Sequence, residues 1–239
     1  MSEKNKLLGI LGGLGPMATA YFYEMLIEHT PAGCDQDHID VVISGRASTP
    51  DRTEYILTGK GEDPFEYMLN DAKKLVDYGA DIIAIPCNTA HFFYDKLVES
   101  INIPILNIIS ETVRTVKSLG CKTVGVMATD GTIKTESYKR ECDKAGIECV
   151  VPDETDQKEI MSFIYDSVKT GKKADMNRFM NITGKFRDKD CERVILGCTE
   201  LSVIKKDENL DEYYIDSLEV LAKTTIEAFS KKPVGFRGI

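Results

Sequence analysis

The stretch IIAIPCNTAH, residues 82–91, and the stretch RVILGCTELS, residues 193–202, are each a short apolar run ending in a cysteine with a threonine close behind. Cys87 and Cys198 stand 111 residues apart, in the contexts Cys87-Asn88-Thr89 and Cys198-Thr199-Glu200. Two thiols on opposite sides of a substrate can take a proton from one face of a carbon and return one to the other. Such a reaction runs both ways, so its acid and base should be groups of one kind that exchange roles, one thiolate and one thiol. A free thiol titrates at about 8.5, lower beside cations or at a helix N-terminus, and each cysteine falls where a strand gives way to a helix. Asn88, Thr89 and Thr199 could orient a bound molecule through hydrogen bonds. The plainer reading stays open: a cysteine at the end of a buried strand is also simply a small apolar residue.

Other loops add candidates. TPDRT carries Arg52 and DETDQK carries Lys158, each after what reads as the second strand of its half. One fixed cation from each half would suit a substrate bearing carboxylates. Arg46 is a third loop cation, and for all three the alternative is a solvated surface charge. GILGGLGP places Gly9, Gly12, Gly13 and Gly15 after the first strand. It is not the G-x-G-x-x-G of dinucleotide folds, and no G-x-x-x-x-G-K-[ST] occurs in the chain. Its backbone N–H groups, Gly13 among them, can approach a carboxylate as readily as a phosphate. The strand-end run Thr129 to Thr132 supplies further hydroxyls. His91 has three readings: general base, tuner of its neighbours, or packing. Glu200 could tune Cys198 or cap a helix.

These residues need a scaffold that presents strand ends side by side. LLGILGG reads as a strand and glycine turn, followed by a helix over 16–30 with Pro16 in its first turn. A strand over 39–44, a helix over 63–80 closed by Gly79, and strands over 81–86 and 101–108 follow. The pattern then repeats. KTVGVMATDGT matches LLGILGGLGP, GIECVVP matches HIDVVIS, CERVILGC matches ADIIAIPC, and EYYIDS matches IPILNI, at offsets of 116, 108, 111 and 109 residues. Short strands alternating with helices imply an α/β fold with parallel sheets, and the repeat implies an internal duplication. The expected architecture is two pseudo-symmetric lobes, each a mainly parallel sheet flanked by helices, with the site in the cleft between them. The first lobe is placed at 1–106 and the second at 107–214, with the C-terminal segment 215–239 packing back on the first.

The bulk composition narrows the partners. The chain has 239 residues, 42% of them apolar, enough for one large domain or two lobes. A net charge of −9, with basic residues scattered among acidic ones, argues against a nucleic-acid surface or a membrane-binding patch. The longest apolar runs are too short to span a bilayer, and MSEKNK leads straight into a strand, so the expectation is a cytoplasmic protein without a signal peptide. Seven cysteines without a CxxC, and only three dispersed histidines, argue against a zinc site or a disulfide framework.

GILGGLGPMAT, TPDRT, PCNTAH, ATDGTI and LGCTELS, in this order between about Leu7 and Leu221, together resemble the aspartate/glutamate racemase family, in its aspartate racemase branch. The glutamate racemase branch usually opens with an acidic DSG-like turn in place of GGLGP. The resemblance implies interconversion of L- and D-aspartate, glutamate or a broader range, by two cysteines without pyridoxal phosphate, metal or nucleotide. It implies lobes that close over the substrate and, commonly, a homodimer. Cys87 and Cys198 match the catalytic pair. Asn88, Thr89 and Thr199 match residues around the substrate's α-amino and α-carboxylate groups, with Thr129 and Thr132 nearby. Arg52 and Lys158 match positions linked to the side-chain carboxylate. Ser44-Gly45-Arg46 replaces a stretch that usually contains Asn, and Arg46 is expected to reach into the cleft. The competing readings are a diacid isomerase or decarboxylase on the same scaffold, a non-catalytic binding protein for an acidic amino acid, and a nucleotide-binding α/β domain.

Overall fold

A computed structural model describes residues 6–239; residues 1–5, where the first-lobe expectation begins and the signal-peptide reading falls, lie outside the described residues. Strands β1 (Leu7–Gly12), β2 (Asp40–Gly45), β3 (Ile82–Ala84) and β4 (Ile105–Leu106) form a parallel sheet in the order β2-β1-β3-β4. Strands β5 (Thr123–Ala128), β6 (Glu148–Val150), β7 (Arg193–Gly197) and β8 (Tyr214–Asp216) form a second in the order β6-β5-β7-β8. The two orders are the same when counted from the start of each half, which is the duplication expected from the sequence.

The helices are α1 (Pro16–His29), α2 (Arg52–Thr58), α3 (Pro64–Tyr78), α4 (Tyr94–Ser100), α5 (Ile108–Ser118), α6 (Asp130–Lys134), α7 (Ser137–Ala145), α8 (Glu154–Ser162), α9 (Met176–Arg187), α10 (Thr199–Glu208) and α11 (Ser217–Ala228). Their starts repeat between the halves as the strands do. Asn107 caps α5 and Asp216 caps α11, while Asp51 caps α2 and Asp153 caps α8, each side chain accepting from backbone N–H groups of the first turn. A cap of this kind is worth about 1 kcal/mol. No described helix is long and apolar enough to cross a membrane.

Strands covered on both faces read as continuous apolar runs, and β1, β3, β5 and β7 are buried in that way. One core cluster runs between the sheets and includes Ile10, Phe22, Val113, Val126, Ile195 and Leu221. It draws on α1, α5 and α11, with α11 packed against both of the others. A second cluster, with Met68, Leu75, Ile83 and Phe93, fills the other side of the first sheet, and a third, with Ile160, Phe179 and Leu196, that of the second. The C-terminal segment divides between the halves: Ile215 and Asp216 pair in the second sheet, and α11 packs on α1 and α5. Its tail returns to the end of α1, where Phe236 stacks on His29 at 4.1 Å.

Candidate active site

The C-terminal ends of the two sheets face each other across one cavity, the expected place for a ligand in parallel α/β architecture. The first half contributes Leu14, Asp51, Arg52, Thr53, Cys87, Asn88 and Thr89. The second contributes Thr129, Tyr165, Lys169, Cys198, Thr199 and Glu200. Cys198 directly follows β7 and is the N-cap residue of α10. Strand β3 ends at Ala84, short of the expected Pro86, because proline has no N–H to extend the ladder. Cys87 therefore lies just beyond the strand, at the head of a 3₁₀ turn over Thr89–Phe93. The two thiols are 6% and 5% exposed.

The surroundings of the two thiols differ in charge. Burial pushes the Cys87 thiol up, opposed by the Arg52 charge and the Ala90 N–H; the Glu200 charge adds to the rise and the Lys169 ammonium opposes it. Burial also raises Cys198, and there the Glu200 charge adds to it. Sγ donates to Glu200 Oε2 at 3.0 Å, and the pKa lies well above the ordinary thiol value. Both thiols are held above their ordinary value, and Cys87, with Arg52 and Lys169 beside it, is the less opposed to ionising.

Three hydroxyls join the halves. Thr89 Oγ1 lies 2.8 Å from Thr129 Oγ1 and 3.2 Å from Thr132 Oγ1, which are 3.1 Å from each other. The triangle satisfies itself when the cavity holds no ligand and can turn its donors to a carboxylate when one arrives. Arg52 is 9% exposed and donates to the carbonyls of Thr49, Pro50 and Leu14, while its Nε has no partner among the described residues. A guanidinium has five N–H donors, so two remain to meet an anion.

Lys158 is a correction. It projects from the exposed side of α8, away from the cavity. Asp153, which caps α8, corresponds to Asp51, so the counterpart of Arg52 in the second half is Glu154. The second-half cation is Lys169, reached through a π turn over Phe163–Ser167 and a 3₁₀ turn over Val168–Thr170. Tyr165 OH donates to Asp51 Oδ2 at 3.0 Å, and Lys169 Nζ lies 3.7 Å from the same oxygen. Burial opposes the Lys169 charge, but Glu200, Tyr165 and Asp51 outweigh it and raise its pKa. Asp51, Tyr165 and Lys169 went unrecognised in the sequence. The one signal was Tyr165 and Lys169 at i,i+4 spacing before Gly171.

Arg46 is a second correction. Its side chain turns away from the cavity to α3 and grips Asp71 through two bonds of 2.5 and 2.6 Å. The Asp71 side chain is 4% exposed, and the guanidinium holds that carboxyl below the usual carboxylate range, outweighing its burial. His91 also stays outside the cavity lining. Its Nε2 accepts from the Ile108 N–H at 3.2 Å, so Nδ1 carries the proton and donates to the Cys87 carbonyl at 2.8 Å. Burial lowers its pKa to about 4 and keeps it neutral, despite the bond to the Cys87 carbonyl. Gly13 lines the vestibule and adopts φ 81°; a Cβ there would strike the Arg46 backbone at 2.4 Å. Its N–H is taken by Thr19 Oγ1 at 2.9 Å and does not serve as the expected ligand donor. Gly15 lets Glu200 approach, since a Cβ would lie 2.9 Å from Oε1.

The cavity between the thiols measures about 20 Å³, room for one water. A wider vestibule of about 400 Å³ adjoins it and shares Asp51, Arg52, Lys169, Thr199 and Glu200.

A duplicated α/β fold with a thiol from each half in one closed cleft defines a two-lobed, paired-cysteine class of protein. The chain belongs to the Asp/Glu/hydantoin racemase family, whose family model matches residues 11–225. The aspartate racemase of Picrophilus torridus is similar over 96% of each chain, with a TM-score of 0.84 and 32% identity. An aspartate racemase homologue from Pyrococcus horikoshii OT3 matches 95% of this chain and 100% of its own, with a TM-score of 0.76 and 26% identity. A broad specificity amino-acid racemase of Bacillus subtilis is 25% identical over 227 residues, 93% of this chain and 98% of the relative.

Proposed function

We propose that this protein is an amino-acid racemase acting on aspartate by a two-thiol mechanism without pyridoxal phosphate. The observation that carries the reading is the pair Cys87 and Cys198, brought to one cavity from equivalent strand ends and set in unlike electrostatic surroundings. In one direction the Cys87 thiolate takes the α-proton and becomes a thiol. Cys198 delivers its proton to the opposite face and becomes the thiolate. The reverse direction exchanges the roles: the Cys198 thiolate takes the α-proton and the Cys87 thiol delivers its own. The negative charge that develops on the substrate α-carboxylate is met by preorganised donors, for which the hydroxyls of Thr89, Thr129 and Thr132 are suited. Exclusion of water from so small a cavity strengthens each of these interactions.

Arg52 and Lys169 support an acidic side chain, whose carboxylate would take the place that Asp51 holds beside Lys169. A second reading, a broader substrate range, is favoured by Asp51 itself, which already neutralises Lys169 for a side chain without charge. A homodimer and a cytoplasmic location are further parts of the proposal; sedimentation equilibrium checks the first.

The test is proton NMR in D2O with L-aspartate, glutamate and a panel of neutral amino acids, with chiral chromatography of the products. Loss of the α-proton signal together with D-aspartate is the expected result. Cys87→Ala and Cys198→Ala should each cut racemisation by at least about 10³-fold, an order expected when an obligatory proton carrier is lost. Each single variant should still wash deuterium into one enantiomer, because one thiol remains. Racemisation at wild-type rates by either variant would refute the two-thiol scheme.

A further inference from the structure

The two cysteine-bearing strand ends are joined by a chain of buried hydrogen bonds that the reaction itself does not require. The Tyr138 hydroxyl donates to Asn88 Oδ1 at 2.6 Å, and Asn88 Nδ2 donates to Ser217 Oγ at 2.9 Å. Ser217 Oγ in turn donates to the Leu196 carbonyl at 2.8 Å. A carbonyl can only accept, so the last bond sets the direction of every other and the amide orientation of Asn88. A carboxamide has two N–H donors and two carbonyl lone pairs; the chain uses one of each and leaves one of each for a ligand. Asn88 lines the cavity beside Cys87, and Leu196 lies two residues before Cys198.

The same tyrosine bears on the second strand end directly. A Cβ on Gly197, the residue before Cys198, would lie 2.8 Å from Tyr138 Cε2, so the ring covers the backbone there. Tyr138 is 2% exposed, in the first turn of α7. That helix starts from Glu136, a non-glycine residue held in the left-handed region at φ 50° and ψ 29°. Burial raises the Tyr138 hydroxyl pKa, so it stays a donor across the working range.

From these contacts we infer that Tyr138 is a positioning residue: its hydroxyl fixes the Asn88 amide beside Cys87, and its ring rests on Gly197 beside Cys198. It thereby holds the two strand ends in one relative placement. Asn88 presents a single N–H in a set direction, which is what recognition of a small, chiral substrate requires. The kinetic consequence rests on the racemase reading above.

Tyr138→Phe keeps the ring and deletes the hydroxyl. Loss of one buried hydrogen bond to a binding group is expected to raise KM for both enantiomers about tenfold, with kcat changed less than about threefold. In an Asn88→Ala background the same substitution should leave KM unaltered, since the group it positions is gone. An unchanged KM in Tyr138→Phe, or two effects that multiply independently, would overturn the inference. If the wild-type protein racemises no amino acid, the racemase reading fails on its own, and iodoacetamide labelling followed by peptide mass spectrometry then reads the positioning role. Tyr138→Phe should label Cys87 about tenfold faster than wild type, the size of one lost hydrogen bond, with exposed Cys34 unchanged. Equal Cys87 rates would overturn it.

Discussion

Glu200 and Arg52 make unequal two cysteines that occupy equivalent strand ends. Duplication supplies the symmetry that the proposed two-thiol proton transfer wants, and the neighbouring charges then break it, so that Cys198 is opposed to ionising more strongly than Cys87. His91 contributes at one remove, by tying the carbonyl of Cys87 to the start of α5. Its pKa falls from 6.5 to about 4 on folding. Between those values the unfolded chain binds a proton that the folded one does not. The stability from neutral His91 is therefore complete above pH 6.5 and is lost as pH falls through about 4, a change on the order of 3 kcal/mol for a shift of this size. Urea denaturation across that range should show a steep acid loss in the wild type and a shallower one in His91→Gln. Parallel curves would mean that the ring is already protonated.

At the scale of elements, the segment after α8 decides which cation reaches the site. A regular helix would carry Lys169 onward in the α8 phase; the π turn over Phe163–Ser167 changes that phase, and Ser167 leaves it at φ −107° and ψ −82°. Tyr165 and Lys169 then close on Asp51, and Gly171 ends the segment in the left-handed conformation. With both side chains of the ion pair about 30% exposed, ion pair and hydrogen bond together are worth about 1 kcal/mol. Asp51→Asn preserves the cap on α2, because Asn caps as well as Asp, but removes the charge opposite Lys169. Amide hydrogen exchange over residues 163–171 should quicken about fivefold while α2 is unchanged. Unaltered exchange in that segment would show that Asp51 does not latch it.

For the whole molecule, the shared layer of α1, α5 and α11 binds the two sheets below the site, and the cavity above them is too small for an amino acid. On the proposed function, the segments around Asp51, Lys169 and Glu200 must part to admit an amino acid, and the vestibule lies where they would. A ligand that binds the folded protein then stabilises it. Calorimetry of the variant carrying both Cys87→Ala and Cys198→Ala, which binds without chemistry, should show stabilisation of about 2.7 kcal/mol with L-aspartate at one hundred times its Kd. No shift in melting temperature at saturating aspartate would contradict the assigned site.

The sequence by itself determined the two parallel sheets, the repeat of their strands and the strand-end residues Cys87, Asn88, Thr89, Thr129, Thr132, Cys198 and Thr199. All of these are local consequences: an apolar run makes a strand, a turn ends it, and whatever follows the strand is exposed at that edge. Tertiary structure alone decided what depends on distant partners. Arg46 follows β2 as the sequence implied, yet buried Asp71 on α3 draws its charge away from the cleft. Lys158 gives way to Lys169 because the phase of a helix after a π turn is set by packing and not by composition. Tyr138 bears no chemical motif; its contact with Gly197 needs α7 to pack on the end of β7, and its bond to Asn88 exists only once the two halves have come together.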